Sequence, residues 1–169
     1  MAKWIVGSGL DEYIASLERM GKLTDGMCGK AMYQGAKIVA DQVKKNIESL
    51  PVQEDAHKGG MVKGVTKEQK EGLLEGFGIA PKQNDNGFVH VKLGFDGYNA
   101  KKTDKYPNGQ PNSMIARIVE SGNSYHVKTP FIAPAIRATK ASAEEKMKMT
   151  LEKELADFGR ENNIYQGGI

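Results

Sequence analysis

The residue types that most often carry chemistry are widely scattered in this 169-residue sequence. Its three histidines are His57, His90 and His126, and none has a second histidine, a cysteine or a carboxylate at metal-ligand spacing. His90 alternates with apolar neighbours, which indicates the solvent-facing side of a β-strand. The sequence therefore predicts no metal site.

Two further side chains could act in catalysis, Cys28 as a nucleophile and Glu120 as a general acid or base. A nucleophilic thiol needs an activating partner such as histidine, and Glu120 has no second carboxylate tied to it in the sequence. We interpret Cys28 as a small buried residue and Glu120 as a capping or subunit-contacting residue. No catalytic residue is predicted and the chain is expected not to be an enzyme, with a small hydrolase or transferase kept as an alternative.

Two glycine-rich segments are candidates for cradling a phosphate. Gly-Ser-Gly at residues 7–9 precedes a predicted helix, but Glu12 stands where the dinucleotide fingerprint needs a third small residue. Lys-Gly-Gly-Met-Val-Lys-Gly at residues 58–64 lacks the spacing of a phosphate-binding loop. The first segment is interpreted as a helix cap and the second as a flexible loop, so no cofactor is predicted.

A basic and aromatic segment is the best candidate for a contact with nucleic acid. Lys101, Lys102 and Lys105 are interleaved with Tyr98 and Tyr106, a combination that can contact phosphates and bases. The whole chain has 24 basic and 21 acidic residues, a balance too even to indicate nucleic-acid binding by itself. These five residues are kept as candidate contact residues.

Composition also indicates the compartment in which the protein is made. A single cysteine excludes an intramolecular disulfide and suits a reducing compartment. The first residues lack the apolar core of a signal peptide, and no apolar run approaches the length of a membrane span. The sequence predicts a protein made in a cytoplasm, with no membrane partner.

Hydrophobic periodicity predicts a single α+β domain over residues 1–169. A short strand is predicted at 3–6, followed by two N-terminal helices at 8–21 and 24–50. Gly35 lies on the apolar stripe of the second helix, which indicates close approach of another backbone.

A small antiparallel sheet and a long C-terminal helix complete the predicted domain. Thr66 and Gln69 form a capping box that starts a short helix. Alternating residues at 88–95 predict a strand that pairs with residues 77–83 through an Asn-Gly turn. A short helix at 114–120, a short strand at 124–129 and the long helix, with Pro130 in its first turn, follow.

Two polar, glycine-rich segments, at about 51–65 and 98–112, are predicted to be mobile loops. The first contains His57 and Lys58, which join the candidate contact residues. Phe131 and Pro134 are expected to anchor the C-terminal helix in the core.

Short motifs follow one another along the chain. They are VGSGLDEYIASLERM, GAK..A...K, GLLEGFGI, GF.GY, IA..VE.G at 115–122 and PFI.PA at 130–135. Their order and spacing resemble the head–tail connector proteins of long-tailed bacteriophages, also called neck or tail-completion proteins. The loop around His57 is longer than in many relatives, which move sooner into their Gly-Leu segment.

The resemblance implies a structural virion protein without catalysis or cofactor. It implies a homo-oligomeric ring at the head–tail junction, between the portal-bound connector proteins and the tail tube or terminator, with genomic DNA passing through the lumen. Lys101, Lys102 and Lys105 would then face DNA, while Glu120 and the two loops would contact neighbours or line the lumen. A tail terminator or other tail-tube component is the near alternative, and a small DNA-binding module is the alternative from another class.

Overall fold

The structure, a computed structural model, describes residues 8–53, 60–86 and 88–161, with the backbone alone at 8–20, 22, 23, 88 and 161. Within these ranges, four helices and two short antiparallel strand pairs make an α+β fold, as the sequence predicts. In chain order the elements are α1 (Ser8–Glu48), α2 (Lys67–Gly76), β1 (Phe77–Ile79), β2 (Gln83–Asp85), β3 (Phe88–His90), β4 (Leu93–Phe95), α3 (Asn112–Ser121) and α4 (Ile132–Glu161). The predicted strand at 3–6 and the candidate residues His57 and Lys58 lie outside the described residues.

The prediction of two N-terminal helices is wrong, because α1 is one helix of 41 residues that continues through Gly21. An interior glycine costs only roughly 0.5–1 kcal/mol relative to alanine, and no proline interrupts the chain before Pro51. Cys28 therefore lies in the middle of a helix, where it is half-buried, and not in a first turn.

The central feature of the fold is an antiparallel pair of long helices, α1 and α4. Near one end, Asn46 donates a hydrogen bond of 2.8 Å to the carbonyl of Phe131. Toward the C-terminal end of α4, Glu154 forms a 2.7 Å ion pair with Lys30 in the middle of α1. Between them, a Cβ at Gly35 would lie 3.0 Å from the Ala143 carbonyl oxygen, which confirms the predicted close approach of another backbone.

The residues that α4 buries are smaller than the sequence predicts. The helical spacing of apolar residues predicts one buried side for α4, made of Ile132, Ile136, Ala143, Met147, Leu151, Leu155 and Phe158. Ala143 of this set is buried, together with Ala135 and Thr139, whereas Ile136 and Leu155 are each 48% exposed. The physical reason is the close approach of the two helix backbones at Gly35, where a Cβ would lie 3.0 Å from the Ala143 carbonyl oxygen.

The predicted antiparallel pairing of residues 77–83 with residues 88–95 is confirmed, but it is divided into two short strand pairs. We call the two pairs together the ribbon. Strand β1 pairs with β4, and β2 pairs with β3 across a turn in which Asn86 has a positive φ of 54°. The single predicted strand at 88–95 is therefore two strands of three residues each. Pro81 lies opposite this break and has no N–H to donate to a continuous ladder.

The core lies where the second half of α1, α2, α3, the ribbon and the start of α4 meet. Phe131 is 2% exposed, and its ring centroid lies 6.0 Å from that of Phe95, which packs in turn on Phe77 at 4.8 Å. The prediction that Phe131 anchors α4 in the core is confirmed, and Pro134 is half-buried.

Two local predictions near α4 need correction. The helix begins at Ile132, so Pro130 precedes it and Pro134 occupies the first turn, where a missing N–H costs nothing. The strand predicted at 124–129 is not formed, because Asn123 and His126 bond each other in a tight turn and leave only isolated bridges. The short helix predicted at 114–120 is confirmed as α3.

Candidate functional site

The basic and aromatic segment at 98–112 is closed at its base by two buried asparagines. Asn99 donates from its side-chain amide to the carbonyl of Gln110 at 2.9 Å, and Asn112 donates to the carbonyl of Asp96 at 2.8 Å. Both asparagines are at most 3% exposed, and the backbone of Asn99 bonds that of Gln110 as well. These bonds join the two ends of the segment to each other at the start of α3, and the mobility of the rest of the segment stays a prediction.

The three lysines of this segment are not equivalent. Lys101 is half-buried and lines a cavity of about 280 Å³ between α2, α3 and the segment. Lys102 and Lys105 are exposed, and the ammonium of Lys105 lies 5.7 Å from the ring centroid of Tyr106, within cation–π range. Tyr98 is 69% exposed. The structure therefore presents two of the three predicted lysines to solvent.

The position of Lys101 is reflected in the electrostatics of a neighbouring carboxyl group. The pKa of Glu68 is lowered first by a hydrogen bond from its own backbone N–H, then by the Thr66 hydroxyl, with a smaller contribution from the charge of Lys101. Lys101 is thus close enough to the start of α2 for its charge to act on the Glu68 carboxyl group.

Glu120 is the predicted site residue whose role the structure shows most directly. Its carboxylate accepts hydrogen bonds from the backbone N–H groups of Phe131 and Ile132 at 2.8 Å each, and of Ala133 at 2.9 Å. These N–H groups have no partner within α4, and a negative charge at a helix N-terminus is favourable. The interpretation of Glu120 as a capping residue is confirmed, with the cap supplied from α3 to a different helix.

His90 and His126, the two histidines that the structure describes, lie in separate local hydrogen-bond networks. Both ring nitrogens of His126 lie within hydrogen-bond distance of backbone carbonyls, those of Gly64 and Val127. The ring of His90 lies 3.1 Å from the side chain of Gln83, on the hairpin. Within the described ranges, no group of three or more histidine, cysteine or carboxylate side chains could hold a metal ion.

A groove that the sequence did not reveal lies between α1 and α4, with a volume of about 590 Å³. It brings together lysines from three parts of the chain, together with Tyr33 and Met149, which are 49% and 58% exposed. We call this surface the lysine groove; its lysines are Lys30, Lys82, Lys146 and Lys153. The seven-residue spacing of the two α4 lysines places them on one helix face, but only the packing of α1 on α4 brings the other two beside them.

Comparisons with protein-family models, curated proteins and solved structures find no match to this chain. No helix in the described part of the chain is both long and apolar enough to cross a membrane.

Proposed function

We propose that this chain is a structural subunit of the bacteriophage head–tail junction, where copies of it form a ring that joins the head to the tail. The motif series of the sequence first raised this function. The observation that best supports it is the exposure of large apolar side chains on two different surfaces of the molecule.

The first surface, which we call the loop patch, consists of Val52, Met61 and Tyr125. Their exposed fractions are 48%, 55% and 79%, so none of them contributes much to the core of the single chain. The segments that carry them are bonded to one another: Val62 donates to the carbonyl of Tyr125 at 2.9 Å, and Val65 donates to that of Pro51 at 3.0 Å. The patch is therefore held on a connected backbone framework.

Apolar side chains are also exposed on α4, where Ile136 near its start and Leu155 near its end, about 28 Å apart along the helix axis, are each 48% exposed. Rotational symmetry in a ring requires that one patch of each subunit meets a different patch of the next copy. A chain with two separate apolar surfaces satisfies this requirement, whereas a two-fold dimer needs only one self-complementary surface.

The experiment that tests the proposal places a stop codon in this gene in the source phage and examines the lysate by electron microscopy. Full heads beside finished, unattached tails are the expected result. Tails of uncontrolled length would transfer the assignment to a tail terminator. Normal infectious particles would contradict any structural role at the junction.

A further inference from the structure

The lysine groove concentrates positive charge that neither helix carries alone. Lys30 comes from α1, Lys82 from the segment between β1 and β2, and Lys146 and Lys153 from α4. All four are exposed, and Glu154 is the one acidic residue among the described residues that line the groove. Four lysines against one glutamate leave the lining strongly positive.

Two of these lysines are positioned by contacts within the chain. Lys30 pairs with Glu154 across the groove at 2.7 Å, and Lys82 donates to the Asp25 carbonyl at 3.2 Å. A Cβ at Gly29 would lie 2.4 Å from Cδ of Lys82, so the glycine makes room for this lysine against α1. The arrangement holds Lys82 beside the groove.

The other two lysines leave their charge available. Lys146 and Lys153 form no ion pair within the described residues, in contrast to Lys140 and Lys148 on the same helix, which pair with glutamates one turn away. Seven residues on an α-helix span about 10 Å along its axis, so the two ammonium groups form a row along the groove.

We propose that the lysine groove binds the phosphate backbone of duplex DNA. Lysine is a flexible point charge that contacts phosphates without reading sequence, as a protein that must accept any stretch of a genome requires. The choice of DNA among polyanions rests on the proposed function, whereas the affinity for a polyanion rests on the groove alone.

Two other occupants fit the groove less well. Lysine is depleted in protein–protein interfaces, which argues against a second copy of the chain as the occupant. Single-stranded nucleic acid is typically bound by several aromatic side chains on which successive bases stack, and Tyr33 is the only aromatic residue in the described lining.

The test measures binding of the purified full-length protein to a fluorescently labelled duplex by fluorescence anisotropy across a salt series. The variant Lys146→Glu/Lys153→Glu is expected to bind about tenfold more weakly or worse at low salt, and the slope of log K against log salt is expected to fall by about two. The matched control is Lys140→Glu/Lys148→Glu, which changes the net charge equally on the same helix but outside the groove, and is expected to weaken binding less than about threefold. If the glutamate variants do not fold, Lys146→Gln/Lys153→Gln replaces them, with Lys140→Gln/Lys148→Gln as its control.

Each contrary result overturns the proposal in a recognisable way. No binding of duplex by the wild type, or equal weakening by the groove and control variants, removes the groove as a DNA site. Tighter binding of a single strand than of the duplex would show that the ligand of the groove is single-stranded nucleic acid and would overturn the proposal for duplex DNA. Loss of self-association in the groove variants without any DNA binding assigns the groove to a second copy of the chain.

Lys102→Glu/Lys105→Glu serves as a comparison within the same experiment, because the sequence favoured that segment. It is expected to weaken binding less than the groove variant, and a larger effect would transfer the DNA contact to the segment at 98–112. The lysate experiment tests the role at the head–tail junction independently. Normal particles together with groove-dependent DNA binding would contradict the role at the head–tail junction but would support the lysine groove as a DNA-binding site.

Discussion

At the scale of single residues, Glu120 shows how one carboxylate on α3 determines where α4 begins. It accepts three hydrogen bonds from backbone N–H groups that have no partner within the helix. A charged acceptor makes each of these bonds stronger than a bond between neutral groups. The same three bonds join the motif around Glu120 to the motif around Phe131.

Replacing Glu120 with alanine is expected to lower the free energy of unfolding by about 2–3 kcal/mol, because the start of α4 loses its charged cap. Urea denaturation followed by circular dichroism measures the change. Glu145→Ala, at an exposed position of α4, is the control and is expected to change the free energy of unfolding by less than about 0.5 kcal/mol. Equal stability of the two variants would contradict the capping role.

A second residue-scale prediction concerns the base of the segment at 98–112. Asn112→Ala is expected to cost about 1–3 kcal/mol, because the part-buried hydrogen bond from the buried Asn112 side chain to the carbonyl of Asp96 is lost. Limited proteolysis should then cut this segment faster than in the wild type. Asn108→Ala, at an exposed position in the same segment, should leave both stability and cleavage unchanged; identical behaviour of the two variants would refute the prediction.

At the scale of secondary-structure elements, the pairing of α1 and α4 depends on how closely their backbones approach. A Cβ at Gly35 would lie 2.2 Å from the Met147 side chain and 3.0 Å from the Ala143 carbonyl oxygen. The side chain can move, but the carbonyl belongs to the backbone of α4. The small residues of α4 and this glycine of α1 are therefore complementary parts of one contact.

Two glycine substitutions in α1 are expected to change stability in opposite directions. Gly35→Ala should lower the free energy of unfolding by about 1 kcal/mol, because overpacking of about 1–3 kcal/mol exceeds the gain in helix propensity. At Gly26 a new Cβ would meet nothing within 4 Å, so Gly26→Ala should raise stability by about 0.5–1 kcal/mol. Thermal unfolding measures both, and a stabilising effect at Gly35 would mean that α4 can move away at little cost.

At the scale of the whole molecule, the surface divides into regions of different character. The loop patch and α4 expose apolar side chains, whereas the lysine groove exposes four lysines beside Tyr33 and Met149. Apolar surface suits association between subunits, and a row of lysines suits a polyanion. The proposed role as a ring subunit at the head–tail junction uses both kinds of surface.

Tyr125→Asp is expected to weaken self-association while leaving the fold intact, because the side chain is 79% exposed and contributes little to the core. Sedimentation velocity of the purified protein, together with complementation of the stop-codon phage, measures the effect. Ser124→Asp adds the same charge at the adjacent exposed position and should leave assembly near the wild-type level. Undiminished assembly of the Tyr125 variant would exclude the loop patch as a subunit contact.

The sequence by itself determined the features that depend on neighbours a few residues apart. The capping box of Thr66 and Gln69 is present, antiparallel strands pair on either side of the predicted turn at Asn86, and α3 lies where its pattern indicates. These features follow from backbone sterics and short-range hydrogen bonds, which the local sequence specifies almost completely.

Only the tertiary structure decided the features that join distant parts of the chain. The local pattern could not show that α1 continues through Gly21, because the small cost of one glycine is outweighed along a helix of this length. Nor could it reveal the partner of Glu120 or the lysines that α4 shares with α1, because the packing of elements places those groups together. Close packing permits few arrangements of the two long helices, and the side chains of the whole chain decide which arrangement forms.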